Sequence, residues 1–278
     1  GVGKAGASVK EEDLIQNLYV LSSHSQLLCF TTKGKVFWLK VYEIPVASRT
    51  SKGRPLVNML KLDDDETVTQ ILPVDEFSQE KFIFMATRNG VVKKTNLNLF
   101  HKKYKSGIKA IRLDDDDKLV GTAITNGKND ILLSSYSGKL IRFHESKVRP
   151  MGRTARGVKG ITLKDGMKVI SLMIGDQSKT ILCLSENGFG KRTKLEDFPL
   201  YNRGGQGVIA LKTSERNGNM VSAISVDEDD GIMLISDKGT LIRTSVSQIP
   251  TLGRNTQGVK VITPKDGEKL IEGVRIPP

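Results

Sequence analysis

Arg203-Gly204-Gly205-Gln206-Gly207 puts three glycines and an arginine inside five residues, just ahead of the apolar run Val208-Ile209-Ala210-Leu211. A loop of this composition can cradle a phosphate on main-chain N–H groups, surround a metal, or turn tightly into a strand. Gly207 stands in register with Gly3, Gly53, Gly107, Gly157 and Gly258, so the loop reads as a repeated turn first, with Arg203 as a phosphate contact. There are 43 Lys and Arg against 31 Asp and Glu, a formal charge of +12. That balance suits an anionic partner, nucleic acid first and a membrane surface second.

The basic residues are not scattered. Five windows, 35–56, 91–110, 139–160, 189–210 and 240–261, hold 25 of the 43 Lys and Arg but only 4 of the 31 Asp and Glu. The candidate phosphate contacts fall in them. Lys35, Arg49, Lys52 and Arg54 lie in the first window, and Lys93, Lys94, Lys102, Lys103 and Lys105 in the second. Lys139, Arg142, Arg149, Arg153, Arg156 and Lys159 lie in the third, Lys191, Arg192 and Arg203 in the fourth, and Arg243 and Arg254 in the fifth. A belt of such groups binds a phosphate backbone by releasing condensed counterions, so affinity should fall steeply with salt.

Other chemistries find little support. His24, His101 and His144 sit near no cysteine pair, so no metal site is expected. Cys29 and Cys183 each fall five residues before a turn glycine, where the matching residues are Met85, Leu133 and Leu234. They read as core hydrophobes in a reducing cytoplasm. Gly188-Phe189-Gly190-Lys191 lacks the spacing of a nucleotide-binding loop. Ser106-Gly107-Ile108-Lys109 fits S-x-x-K but has no partner motif. The acidic run Asp227 to Gly231 lacks a full calcium-loop pattern and reads as a solvated turn. No catalytic residue and no cofactor is expected.

The elements that carry the charge repeat. Five segments read as an apolar strand, a turn ending in glycine and a second strand, with turn glycines Gly34, Gly90, Gly138, Gly188 and Gly239. A second glycine follows each: Gly53, Gly107, Gly157, Gly207 and Gly258. After it come a further strand, an acidic turn and a closing strand. Each repeat thus has about 50 residues and four strands, with no amphipathic helix, which points to an all-β propeller-like array. Gly3 stands 50 residues before Gly53 and implies a sixth, incomplete repeat at the N-terminus. The fourth residue after each hairpin glycine is Trp38, Lys94, Arg142, Arg192 or Arg243, basic in four repeats of five. That register is read as a DNA-facing rim.

The segments "KVYEIPVASRTSKGRPLVNML", "NGVVKKT", "RGVKGITL", "NGFGKRT" and "TLGRNTQGVKVI" resemble the C-terminal domain of the bacterial DNA gyrase A subunit. The resemblance implies a six-bladed β-pinwheel over 1–278, with strands exchanged between blades and the first blade incomplete, as part of a longer polypeptide. It implies wrapping of double-stranded DNA about a basic perimeter, so that an ATP-dependent type II topoisomerase can introduce negative supercoils. The fragment itself would be monomeric and would catalyse nothing. Its partners would be the N-terminal breakage-reunion domain of the same polypeptide and the gyrase B subunit, in the cytoplasm at the nucleoid, with no membrane. The family carries a Q-R-R-G-G-x-G box in its first blade, of which Gly1-Val2-Gly3 match the last three positions. The sequence also resembles the C-terminal domain of the topoisomerase IV A subunit. A propeller whose basic rim binds an acidic protein is the alternative from another class.

Overall fold

The computed structural model describes residues 25–40, 60–104 and 106–278. Among them every long element is a strand. The hairpin turns form where expected because their glycines supply the left-handed conformation, with φ between 76° and 94°. Thr31, Thr87, Ser135, Ser185 and Ser236 stand three residues before these glycines and are buried. Each hydroxyl accepts the N–H of the residue that follows the glycine, so the tight turn leaves no donor stranded.

The first body comprises two sheets. One holds β1 (Gln26–Thr31), β2 (Lys35–Lys40), β3 (Val68–Val74) and, further along the chain, the short β6 (Ile108–Lys109). The other holds β4 (Phe82–Thr87), β5 (Val91–Asn96), β7 (Leu119–Thr125) and, further along the chain, β10 (Val158–Lys159). Their orders are β3-β1-β2-β6 and β10-β5-β4-β7.

The second body holds three sheets. The first has β8 (Asp130–Ser135), β9 (Lys139–His144), β11 (Val169–Ile174), β14 (Leu200–Tyr201) and β15 (Val208–Ile209). The next has β12 (Thr180–Ser185), β13 (Phe189–Lys194), β16 (Met220–Val226) and β19 (Val259–Lys260). The last has β17 (Gly231–Ser236), β18 (Leu241–Ser245) and β20 (Leu270–Ile276).

The strand after each loop glycine does not join its own hairpin. β6 pairs with β2, β10 with β5, β15 with β9 and β19 with β13, each reaching back one repeat. This exchange is the pinwheel arrangement. The described residues hold five sheets, not six; the sixth rested on the resemblance and on Gly3, which lies outside them. A blade needs a hairpin, and one glycine in register does not supply it.

Consecutive sheets within a body share a core. Leu28, Phe30 and Val36 meet Ile83, Met85 and Phe100; Leu132 and Leu140 meet Ile181, Cys183 and Phe198; Leu182 and Leu184 meet Ile232, Leu234 and Ile249. Each such side chain contributes roughly 1.5–3 kcal/mol when fully buried. Covered on both faces, the first hairpin strands are continuous apolar runs rather than alternating ones. Cys29 and Cys183 are among these core residues, and burial pushes both thiols up to about 12.

Candidate nucleic-acid interface

The basic register of the second hairpin strand is turned inward. Arg192 is 6% exposed; its Nε donates to Ile249 O at 2.7 Å and its Nη1 to Glu228 at 2.9 Å. Arg142 donates from Nη1 to Phe198 O at 3.0 Å and from Nε to Asp130 at 2.9 Å. Trp38 at the same repeat position donates from Nε1 to Phe100 O at 2.8 Å. Phe100, Phe198 and Ile249 each stand ten residues after the next hairpin glycine. At Trp38, Arg142 and Arg192 this position thus clasps one sheet to the next within its body, by indole or guanidinium. Lys94 is buried too, with Nζ over the Phe82 ring. The expectation that this register faces DNA is therefore corrected for Lys94, Arg142 and Arg192. Arg243, in the last sheet, is exposed.

Above these strands the chain forms arches. The first arch starts at Pro150, bridged in parallel to Lys94, and lands where Val158 pairs with Val92. The second runs from Leu200 beside Arg142 to Val208 beside Leu140, and the third from Thr251 beside Arg192 to Val259 beside Gly190. Both feet of each arch stand on the preceding repeat's second strand. The landing foot must be glycine. At Gly207, φ is 74° and an added Cβ would lie 2.5 Å from Leu140 O; at Gly157 it would lie 2.4 Å from Val92 O. The opening Arg-Gly-Gly-Gln-Gly motif is thus a turn required by close backbone approach, set inside a basic arch.

What fills each arch is the third residue after the hairpin glycine. Under the second arch it is Ile141. Under the first it is Lys93, wholly buried, with Nζ donating to Ala110 O, Arg153 O and Ala155 O at 2.8, 2.6 and 3.0 Å. Under the third it is Lys191, also wholly buried, bonded to Gly253 O, Arg254 O and Thr256 O at 2.8, 2.5 and 3.1 Å. Burial, with the nearby Arg153 charge, pushes the Lys93 ammonium down to about 7. Burial pushes Lys191 down to about 8, where Cys183 opposes the shift and Arg254 adds to it. Neither lysine reaches the surface, so both expectations of direct phosphate contact are corrected. Their charge was legible; their direction was not, because β5 and β13 are buried on both faces and carry no alternation.

Four residues before the loop glycine stands Arg49, Lys103, Arg153, Arg203 or Arg254, a basic side chain in every repeat. Arg203 Nε donates to Lys147 O at 3.0 Å and Arg254 Nε to Asp197 O at 3.1 Å, carbonyls at one common repeat position. These half-buried arginines tie the arch to the short 3-10 turn of the preceding repeat. Lys102, Lys103, Arg149, Arg156 and Lys159 are exposed, and Lys35, Lys139 and Arg153 are half-buried. Arg156 makes a bidentate pair with Asp114 at 2.8 and 2.7 Å, which holds that carboxyl below its usual range. Arg49, Lys52, Arg54, Lys105 and the box remnant Gly1, Val2 and Gly3 lie outside the described residues. Two exposed lysines were missed, Lys109 and Lys260, each two residues after a loop glycine as Lys159 is. That spacing was a readable signal. Among the described residues no group of His, Cys, Asp and Glu is placed to hold a metal, and no helix is long and apolar enough to cross a membrane.

The profile of the family described as "DNA gyrase C-terminal domain, beta-propeller" matches residues 25–75, 81–126, 129–176, 179–227 and 232–274. The DNA gyrase A subunit of Salmonella typhimurium is 47% identical over 271 residues, covering 98% of this chain and 31% of that protein. Its Escherichia coli counterpart gives the same figures. The chain therefore spans about a third of the length of these relatives. Among solved structures, the C-terminal domain of DNA topoisomerase IV superposes with a TM-score of 0.84 at 28% identity, covering 92% of this chain and 80% of that one. The DNA gyrase A C-terminal domain gives 0.77 at 25% identity, with 92% and 84% covered.

Proposed function

The chain belongs to the DNA gyrase C-terminal domain family, and from that premise we propose that its arches bind the backbone of double-stranded DNA and bend it without reading sequence. The observation that carries this is the sorting of charge by depth. Lys93, Lys94, Arg142, Lys191 and Arg192 are turned into the sheets, whereas Arg149, Arg156, Lys159 and Lys260 stand exposed on or beside the first and third arches, and Lys102, Lys103 and Lys109 stand exposed in the repeat before them. Side chains of this kind neutralise phosphates and position a duplex but carry no base information. Among the described residues there is no α-helix to enter a major groove. Smooth bending of 20–30 base pairs by 40–90° costs on the order of 1–6 kcal/mol, which contacts on successive arches offset.

In this reading 1–278 acts as one wrapping domain of a larger bacterial topoisomerase polypeptide at the nucleoid. The wrapped segment is presented to a breakage-reunion domain elsewhere in that polypeptide, and ATP hydrolysis belongs to a partner protein. The domain works as a monomer and has no chemistry of its own. An electrophoretic shift with linear duplex across a salt series tests the binding. Affinity should fall steeply with salt; weak, salt-insensitive binding would overturn the reading. Relaxed plasmid treated with a nicking-closing enzyme in the presence of the protein tests the wrap. A shifted topoisomer distribution is expected, and an unshifted one would leave binding without wrapping.

A further inference from the structure

The first and third arches differ from the second in what their peptide groups face. Lys93 draws the carbonyls of Arg153 and Ala155 inward, and Lys191 draws in those of Gly253, Arg254 and Thr256. The peptide bonds are trans, so the N–H of each such plane points the opposite way from its carbonyl. The N–H groups of Thr154 and Arg156, and of Arg254, Asn255 and Gln257, are thereby directed away from the buried lysine. Thr154, Arg156 and Asn255 are exposed. The second arch, over Ile141, has no such ammonium beneath it. There the Gly204 N–H donates to Gly160 O at 2.8 Å, and Thr162 bonds the carbonyls of Gly204 and Gly205. Its Gly204 N–H and its Gly204 and Gly205 carbonyls are committed within the fold.

We infer that the first and third arches are main-chain phosphate seats, in which outward N–H groups bind a backbone phosphate and Lys93 and Lys191 act as positioning residues beneath them. This rests on the DNA reading above and deepens it: the two seats are separated along the chain by an arch with Ile141, not a lysine, beneath it. Successive outward N–H groups form an anion-binding concavity, and hydrogen bonds to a charged partner are stronger than those between neutral groups. The ammonium never touches the phosphate. It fixes the carbonyls, and its positive charge lies directly behind the seat.

The test uses the whole chain, labelled with nitrogen-15, and a short linear DNA duplex. The amides of Thr154, Arg156, Asn255 and Gln257 should move downfield on titration, well beyond that of Gly204, whose N–H is held by Gly160 O. Lys93→Met should abolish the shifts at 154 and 156 while sparing 255 and 257, and Lys191→Met should do the reverse. Each should weaken duplex binding by about tenfold, the worth of one hydrogen bond to a charged group. Binding with those four amides unmoved would overturn the seats and leave the DNA reading intact. So would Met variants whose amide shifts match the parent. Absence of any complex with the parent chain would instead overturn the DNA reading. Where a variant does not fold, the titration of the parent chain decides alone.

Discussion

Arg192 and Arg156 both lie in basic stretches of the same repeat pattern, yet they do opposite work. Arg192, in the strand β13, is 6% exposed and holds Ile249 O and Glu228. Arg156, on an arch, is exposed and shared with Asp114 at the surface. The contrast shows that a basic register in a repeat fold has two possible sources. One is a ligand common to all repeats. The other is a neighbour that recurs, since Phe100, Phe198 and Ile249 each offer a carbonyl at one repeat position to the sheet before. Trp38 reveals the second source. An indole N–H can replace the guanidinium only where the need is one donor, not one charge.

The largest effect should separate the two sources within one register. Arg192→Met leaves the Ile249 carbonyl buried without its donor and should destabilise the fold by about 2–3 kcal/mol. Arg243→Met, at the same repeat position but exposed, should change stability by less than about 0.5 kcal/mol. Urea unfolding of both variants checks this, and equal losses would erase the distinction. A smaller effect is expected on the arch. Arg156→Gln removes a half-exposed ion pair with Asp114, worth about 0.2–1 kcal/mol in stability. Its DNA affinity should nonetheless drop measurably while that of folded Arg192→Met does not.

A further effect is one of pH. An unfolded lysine titrates near 10.4, whereas Lys93 is pushed down to about 7 and Lys191 to about 8. Between those values the unfolded chain binds more protons, so stability contributed by these sites rises with pH. The cost of burying the charge is full below about pH 7 and fades toward about pH 10. Melting temperature should therefore rise across that window in the parent chain relative to a Lys93→Met, Lys191→Met double variant. A constant difference would show that burial does not perturb these lysines.

The hairpins were legible because their glycines and apolar runs are local necessities. The loop glycines were legible as turns, although the contact that forbids a Cβ at Gly207, against Leu140 O, lies 67 residues away in sequence. Strand exchange was implied only by the resemblance. A two-residue strand such as Val158–Lys159 has no periodicity to read, and its partner is in another repeat. The direction of the strand cations was hidden for a related reason. A strand buried on both faces gives no alternation, so Lys93 and Lys94 look alike as letters although one fills an arch and the other lies over Phe82. The exposed lysines at 109, 159 and 260 shared a spacing that could have been found by aligning the repeats on the loop glycine.

In the proposed mode, cations on and beside the arches, not the inward cations of the hairpin strands, meet the DNA backbone. The most direct measurement is the salt dependence of duplex binding for three proteins: the parent chain, Arg192→Met, and a variant with Lys103, Arg149, Arg156 and Lys159 all changed to Gln. Each phosphate contact contributes about 0.9 to the slope of log affinity against log salt. The arch variant should lose up to about 3.6 from that slope, while folded Arg192→Met keeps the parent's value. A slope unchanged in the arch variant and reduced in Arg192→Met would contradict the account.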